Sequence, residues 1–237
     1  MKTQIKIGLG VSILTLIAMA CIIFYTGTLL PDGDRIPLHF GPDGAPDRFG
    51  TRSDALMTLW ILPGIMTVVS AIMAVAPFVD PRRDNVRTGR QGYLAVWITV
   101  NVVILMVLGG VAFAMVNSAS STFDTSGAVR WVIAACALLF IVMGNYLPKT
   151  RSSFVFGIRT PWTLSSDFAW EKTHRLAGPL FMIAGAIGLV GAFLFNGVWL
   201  ALQLPALVLT ITLVCAVYSY LVWRDADDRD TSSQHLV

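Results

Sequence analysis

Charge is scarce in this chain: Asp, Glu, Lys and Arg make up 13% of its 237 residues. That is about half the share of a soluble domain. Disorder is excluded as well, because 55% of the residues are hydrophobic and the mean hydropathy is +0.70. The three cysteines, Cys21, Cys136 and Cys215, have no paired spacing, which excludes a disulfide scaffold and leaves them as small buried hydrophobes. There is no His-Glu-x-x-His, no nucleophile elbow and no phosphate-binding glycine loop. With no catalytic constellation, no enzyme activity, no metal and no cofactor are expected. The formal net charge of +3 is not a nucleic-acid footprint, since no basic stripe interleaved with aromatics lies outside the apolar runs. No direct nucleic-acid binding is expected.

What the chain does have is long neutral stretches. Uninterrupted uncharged runs cover 7–31, 55–79, 91–123, 131–148 and 176–223. A bilayer core takes about 20 apolar residues at roughly 1.5 Å each. Four runs can therefore cross once, and the last can cross twice if it turns at Asn196-Gly197, a strong turn dipeptide. In lipid the backbone must satisfy its own hydrogen bonds, and continuous apolar runs without period-2 alternation select helices over a barrel. The expected fold is all-α: a polytopic membrane protein of six transmembrane helices, near 7–29, 55–79, 93–117, 129–147, 176–195 and 198–223.

Lys and Arg in the connections set an orientation. With the N-terminus inside, thirteen fall on the cytoplasmic side and only Arg35, Arg48, Arg52 and Arg130 outside. Both termini are expected in the cytoplasm, with the inner loops drawn to anionic lipid. The first span has a basic start, and Ala18-Met19-Ala20-Cys21 faintly resembles a lipoprotein cleavage box. Its apolar stretch runs on past the cysteine, so a retained helix is expected. Ala184, Gly188 and Ala192 recur every four residues as a helix-packing face. Pro63-Gly64 and Pro205 should kink their helices. Asn101 is the one strongly polar mid-span group and reads as interhelical glue, and the ionisable residues of a proton or ion relay are absent.

Specific chemistry is thus confined to two loops. The outer loop, 30–54, is so dense in Pro and Gly that regular structure is not expected, only a chain of fixed turns, Asp43-Gly44 among them. His39, Asp43 and Asp47 are spaced by four and could hold a metal, but turns offer no helical face to align them. A shaped outer surface meeting an external ligand is the favoured reading. In the inner loop, 144–178, Ser165 or Ser166 can cap a helix with Asp167 in its first turn. Trp170 and His174 share one face of that helix, beside Lys172 and Arg175. An amphipathic helix on the inner membrane surface is expected. The chain divides into a two-helix unit, 1–92, and a four-helix unit, 93–237.

These loops carry a resemblance. Gly144-Asn145…Pro148-Lys149, then Gly157-Ile158-Arg159-Thr160-Pro161-Trp162-Thr163-Leu164, then Trp170-x-Lys172-Thr173-His174-Arg175 resemble the SdpI family of bacterial membrane proteins. Leu30-Pro31…Ile36-Pro37-x-His39-Phe40…Gly44…Pro46-Asp47-Arg48…Gly50 is similar to the N-terminal domain of unknown function that often precedes it. Ser153, where the family commonly has Asn, and Gly41, where a small polar residue often stands, are departures. The resemblance implies a multi-pass protein of the bacterial cytoplasmic membrane. Its implied role is immunity to an extracellular peptide toxin, with signal transduction by holding a cytoplasmic transcriptional repressor at the membrane. The implied partners are therefore the lipid bilayer, such a toxin and such a repressor. The implied binding residues are His39, Asp43, Asp47 and Arg48 outside, and Asn145, Arg159, Thr160, Pro161, Trp162, Trp170, Lys172, His174 and Arg175 inside. Arg159 and Lys172 would equally suit lipid phosphates, with Trp162 as an interface anchor. The alternative function is a small transporter or an envelope-maintenance membrane enzyme of unknown substrate.

Overall fold

The computed structural model describes residues 1–33, 35–41, 46–117, 126–154 and 156–229. Asp43, and with it the Asp43-Gly44 turn, lies outside the described residues. The elements run α1 (Lys2–Leu29), β1 (Ile36–Phe40), β2 (Pro46–Gly50), α2 (Arg52–Val79), α3 (Arg83–Thr88), α4 (Arg90–Asn117), α5 (Ser126–Tyr146), α6 (Pro161–Ser165), α7 (Asp167–Leu194) and α8 (Gly197–Arg224). Six of them, α1, α2, α4, α5, α7 and α8, contain segments long and apolar enough to cross a membrane. The chain is a multi-pass membrane protein whose spans are all helical, with one short two-stranded ribbon. The turn inferred at Asn196-Gly197 is present: Asn196 precedes α8, and Gly197 sits at φ 55°, a left-handed conformation that favours glycine.

Consecutive spans run antiparallel, which gathers the hairpin, residues 126–130 and the α7–α8 turn at one end. The segment 80–90, the loop 147–166 and the residues after α8 gather at the other. Helices α1, α2 and α4 enclose a core of Met19, Ile23, Leu59, Met66, Leu108 and Met115. Helices α5, α7 and α8 enclose Ala177, Phe181, Ala184, Ile211 and Cys215. Large apolar side chains such as Phe24, Ile72, Val190 and Leu213 point outward, as a lipid-facing surface requires. All three cysteines are free thiols.

The polar glue between α1, α2 and α4 is not Asn101. Its Nδ2 donates to Trp97 O one turn back on α4. Instead Ser12 Oγ receives the indole N–H of Trp97 at 3.1 Å and the hydroxyl of Ser70 at 2.9 Å. A serine hydroxyl has two acceptor lone pairs, so one small α1 residue ties both neighbours.

On α7 the expected small-residue face is buried: Ala184 and Ala192 are almost fully enclosed, and a Cβ on Gly188 would lie 2.6 Å from Leu204 Cδ1 of α8. A second small face on α7, unforeseen in the sequence, closes on α5. There a Cβ on Gly178 would sit 2.3 Å from Pro148 Cγ and 2.9 Å from Gly144 O, and one on Gly185 would sit 2.6 Å from Ala137 O. Without a hydrophobic drive between helices in lipid, such close backbone approach supplies the packing.

Two further expectations are corrected. The outer loop holds regular structure: β1 and β2 form an antiparallel ribbon pairing Ile36 with Gly50, Pro37 with Phe49, His39 with Arg48 and Phe40 with Pro46, with register shifts on both sides of His39. In a two-stranded ribbon every strand is an edge, so prolines that cannot donate to a ladder are tolerated at Pro37 and at the first position of β2. The second correction concerns the surface helix. Ser166 does cap it, accepting the N–H of Ala169 at 3.0 Å, but the helix continues without interruption through Pro179 into the fifth span. Its Trp170–His174 face is covered by the chain's own loop rather than by lipid headgroups.

Candidate functional site

The segment from Leu147 to Ser166 is almost free of long secondary structure, yet Ser152, Ser153 and Thr163 within it are buried. Its shape rests on side chains that satisfy its backbone. His174 is 1% exposed and stacks on Trp170 with ring centroids 4.0 Å apart. Its Nε2 accepts the N–H of Ile158 at 2.9 Å, while Nδ1 lies 2.8 Å from Trp170 O. An acceptor at Nε2 and a carbonyl at Nδ1 define the neutral ring with its proton on Nδ1. Trp170 Nε1 donates to Thr150 O at 3.2 Å, so the stacked pair holds the loop at two places. Gly157 lies over the pair at φ 123°, and a Cβ there would come within 2.5 Å of His174 Nε2 and 2.6 Å of Trp170 Cη2. This close crossing explains the glycine that opens Gly157-Ile158-Arg159. At the loop's departure from the family, Ser153 Oγ accepts the N–H of Phe156 and donates to its carbonyl, closing a small turn.

Thr160, Pro161 and Trp162 start α6. Thr160 caps it reciprocally with Thr163, Pro161 occupies the first helical position where its missing N–H is harmless, and Thr160 Oγ1 reaches Ser219 Oγ of α8 at 3.0 Å. Trp162 packs edge-on against Tyr220, ring centroids 5.3 Å apart.

A latch from outside the motif was not visible in the sequence. Asp80, which caps the end of α2, accepts the N–H of Arg82 at 2.7 Å through one carboxylate oxygen and the N–H of Phe154 at 2.9 Å through the other. The Arg82 guanidinium donates to Ser152 Oγ and to Leu164 O, and lies over the Phe154 ring. Asn85 Nδ2 donates to Ser152 O at 2.8 Å. On the other side, Asp228 accepts the hydroxyl of Ser166 and the N–H of Phe168 at the start of α7. Asp80 and Arg82 read in the sequence as ordinary loop charges. The one signal they offered was their position directly after a span.

The inner candidates therefore divide. Trp170 and His174 are buried and hold the loop. Arg175 pairs with Glu171 at 3.0 Å, Lys172 lies over the Phe168 ring, and Asn145 accepts from Lys149 Nζ at 3.2 Å. Arg159 is exposed and donates to Phe154 O at 2.6 Å. Glu171 and Arg175 line a polar cleft of about 430 Å³ with Lys149, Arg151 and Asp167, and Trp170 and Asn85 also border it. Arg159, Thr160, Pro161, Trp162, Lys172 and His174 are not among the residues bordering that cleft.

At the hairpin end, His39 Nδ1 is 2.7 Å from Asp47 Oδ1 across the ribbon, and both side chains are more than half exposed. Arg48 is the register partner of His39. Among the described residues no group of three His, Cys, Asp or Glu converges as a metal site would require.

Residues 149–219 match the model of the SdpI/YfhL protein family. Over 87 residues the chain is 30% identical to the Immunity protein SdpI of Bacillus subtilis (strain 168), a stretch covering 37% of this chain and 42% of that protein. It is 40% identical over 65 residues to an uncharacterized protein of Archaeoglobus fulgidus, covering 26% of this chain and 32% of the other. The chain thus spans less than half the length of either relative. No solved structure matches it. The matched segment begins at the latched loop and runs through α7 into α8, and over that segment the chain is similar to the SdpI/YfhL protein family.

Proposed function

We propose that this protein is a membrane-embedded immunity and signalling protein of the bacterial cytoplasmic membrane, which binds its partners rather than transforming them. The hairpin end faces outward and meets a peptide toxin. The latched loop faces the cytoplasm and offers the mixed-charge cleft of Lys149, Arg151, Asp167, Glu171 and Arg175 to a protein partner, a transcriptional repressor being the kind that the family resemblance suggests. The carrying observation is that cleft: an open polar surface of both charge signs, framed by a loop whose backbone is rigidly satisfied, suits electrostatic docking of a protein. The likeness to the Immunity protein SdpI supports the same reading. The thirteen-to-four distribution of Lys and Arg supports the orientation.

The test is a deletion strain challenged with a panel of membrane-active peptides and complemented with the wild-type gene or with Glu171→Lys plus Asp167→Lys. Immunity requires that deletion sensitise cells to at least one peptide and that the wild type restore resistance. Unchanged sensitivity across the panel overturns immunity. Loss of signalling with retained resistance in the cleft variant assigns the cleft to the cytoplasmic partner.

A further inference from the structure

Beside the polar cleft, and separated from it by Lys149 and Thr150, lies a second cavity of about 390 Å³ between the α3–α4 corner and the end of α5. Its charge is of one sign. Arg87, Arg90 and Lys149 line it, and no carboxylate does. Lys149 Nζ spends its contacts on two neutral groups, Asn145 Oδ1 at 3.2 Å and the Tyr146 ring at 5.0 Å. Arg90 has no ion pair among the described residues, and the pair of Arg87 with Asp84 at 3.0 Å is exposed on both sides and holds weakly. The wall is built, not incidental: Gly92 lies flat on Tyr146, where a Cβ would come within 2.9 Å of the ring. The backbone adds the same sign, since the first bond of α4 is the Tyr93 N–H to Gly89 O and the preceding amides of that helix belong to residues lining the cavity.

The cavity's height in the membrane selects the ligand. It lies where α4 begins and α5 ends, hence at the boundary between the apolar spans and the polar face. An anion reaching this level from the side arrives with acyl chains attached. We propose that this cavity is a binding site for the phosphodiester headgroup of an anionic phospholipid, held by Arg90 and Lys149 with Arg87 at the rim. The site requires neither a toxin nor a repressor and does not depend on the function proposed above. A headgroup there would tie the α3–α4 corner to the end of α5, beside the latch at Asn85.

The experiment uses the full chain in neutral detergent, titrated with phosphatidylglycerol or phosphatidylcholine. Retained lipid is counted by native mass spectrometry, and the thermal midpoint is read in parallel. The wild type is expected to retain phosphatidylglycerol in preference to phosphatidylcholine and to gain thermal stability from it. Arg90→Gln and Lys149→Gln should each weaken that retention roughly fivefold, and the pair roughly 25-fold. Lys149→Arg, which keeps the charge, should retain it. Arg83→Gln removes an exposed cation at the same end but outside the cavity wall and should change nothing. Each single variant is read separately, so a pair that fails to fold leaves the test intact. Equal retention in the wild type, Arg90→Gln and Lys149→Gln overturns the site, and so does an equal loss in Arg83→Gln, which would mean diffuse charge attraction. Displacement of the lipid by soluble glycerol phosphate at equal concentration overturns the lipid as source and leaves a free phosphate ester. Displacement by an acidic peptide instead makes the cavity a protein surface.

Discussion

Replacing His174 with Phe keeps an aromatic ring of similar size against Trp170 but removes the acceptor for Ile158 N–H. The position is 1% exposed, so water cannot take over that bond without the loop opening. An orphaned buried donor costs about 1–3 kcal/mol, which is roughly a 5- to 150-fold rise in the open population of the loop. Trp170 O loses only its side-chain partner and keeps its place in the α7 ladder. Trypsin reads the opening, because Arg151 and Arg159 lie in the affected loop and cleavage tracks the open population when reclosing is fast. In detergent, His174→Phe should be cut at these two sites faster by that factor, while the spans stay intact. His174→Gln places a carboxamide oxygen near the lost Nε2 and should recover much of the protection. A Phe variant cut at the wild-type rate would refute the bond's role. A Gln variant cut as fast as the Phe variant would show that ring stacking, not the acceptor, holds the loop.

Four other outcomes follow from the same geometry. Arg82→Ala should open the loop by a comparable 1–3 kcal/mol, and Arg82→Lys should rescue little, since one shorter ammonium nitrogen does not span the two positions from which Nη1 and Nη2 reach Ser152 and Leu164; proteolysis at Arg159 checks both. Gly178→Val should destabilise the α5–α7 contact by at least about 1–3 kcal/mol, because the new atoms meet Pro148 and the Gly144 carbonyl; loss of folded protein on size exclusion is the readout. His39→Ala should leave the thermal midpoint nearly unchanged, since an exposed pair is worth about 0–1 kcal/mol, so any change in toxin resistance would report binding. In intact cells a membrane-impermeant maleimide should label Phe49→Cys and not Arg83→Cys, and the reverse pattern would invert the proposed orientation.

The six spans were legible because a bilayer demands one thing of a segment, about 20 consecutive residues without charge, and charge is readable residue by residue. The turn at Asn196-Gly197 was legible for a similar local reason. What was not legible depended on partners distant in sequence. Pro and Gly density argued against strands at 36–50, but the ribbon needs so few ladder bonds that its prolines fall where none is missed. Trp170 and His174 were placed correctly on one face, yet what covers the face is a loop thirteen or more residues earlier in the chain, and no local pattern announces that. The Gly144, Gly178 and Gly185 seam looked like ordinary glycine in apolar sequence, whereas the four-residue repeat of Ala184, Gly188 and Ala192 stood out. Only contact with α5 distinguishes the former. Of the inner candidates, Trp170 and His174 proved to be the loop's supports, while Glu171, which lines the cleft, was not among the candidates.

The latch gives the two ends of the bundle a mechanical relation. Arg52 opens α2 by donating to the Gly27 carbonyl of α1 and to Asp32, so the start of α2 is fixed to the segment that leads into the hairpin. Thr51 and Asp54 cap that start reciprocally. The helix then runs 28 residues to Asp80, roughly 42 Å at 1.5 Å per residue. There a single carboxylate holds the Arg82 and Phe154 amides at 2.7 and 2.9 Å. Hydrogen bonds of this kind weaken steeply once stretched beyond about 3.5 Å, so a rigid displacement of α2 by about 1 Å suffices to release Phe154. The released loop would carry Ser152 and Arg151 with it, and both line the polar cleft. If the proposed toxin binds the hairpin, differential affinity for two positions of this helix would suffice to change the surface offered at the far end. The family-matched segment contributes most of the cleft, but the acid that holds its loop comes from residue 80, before that segment begins.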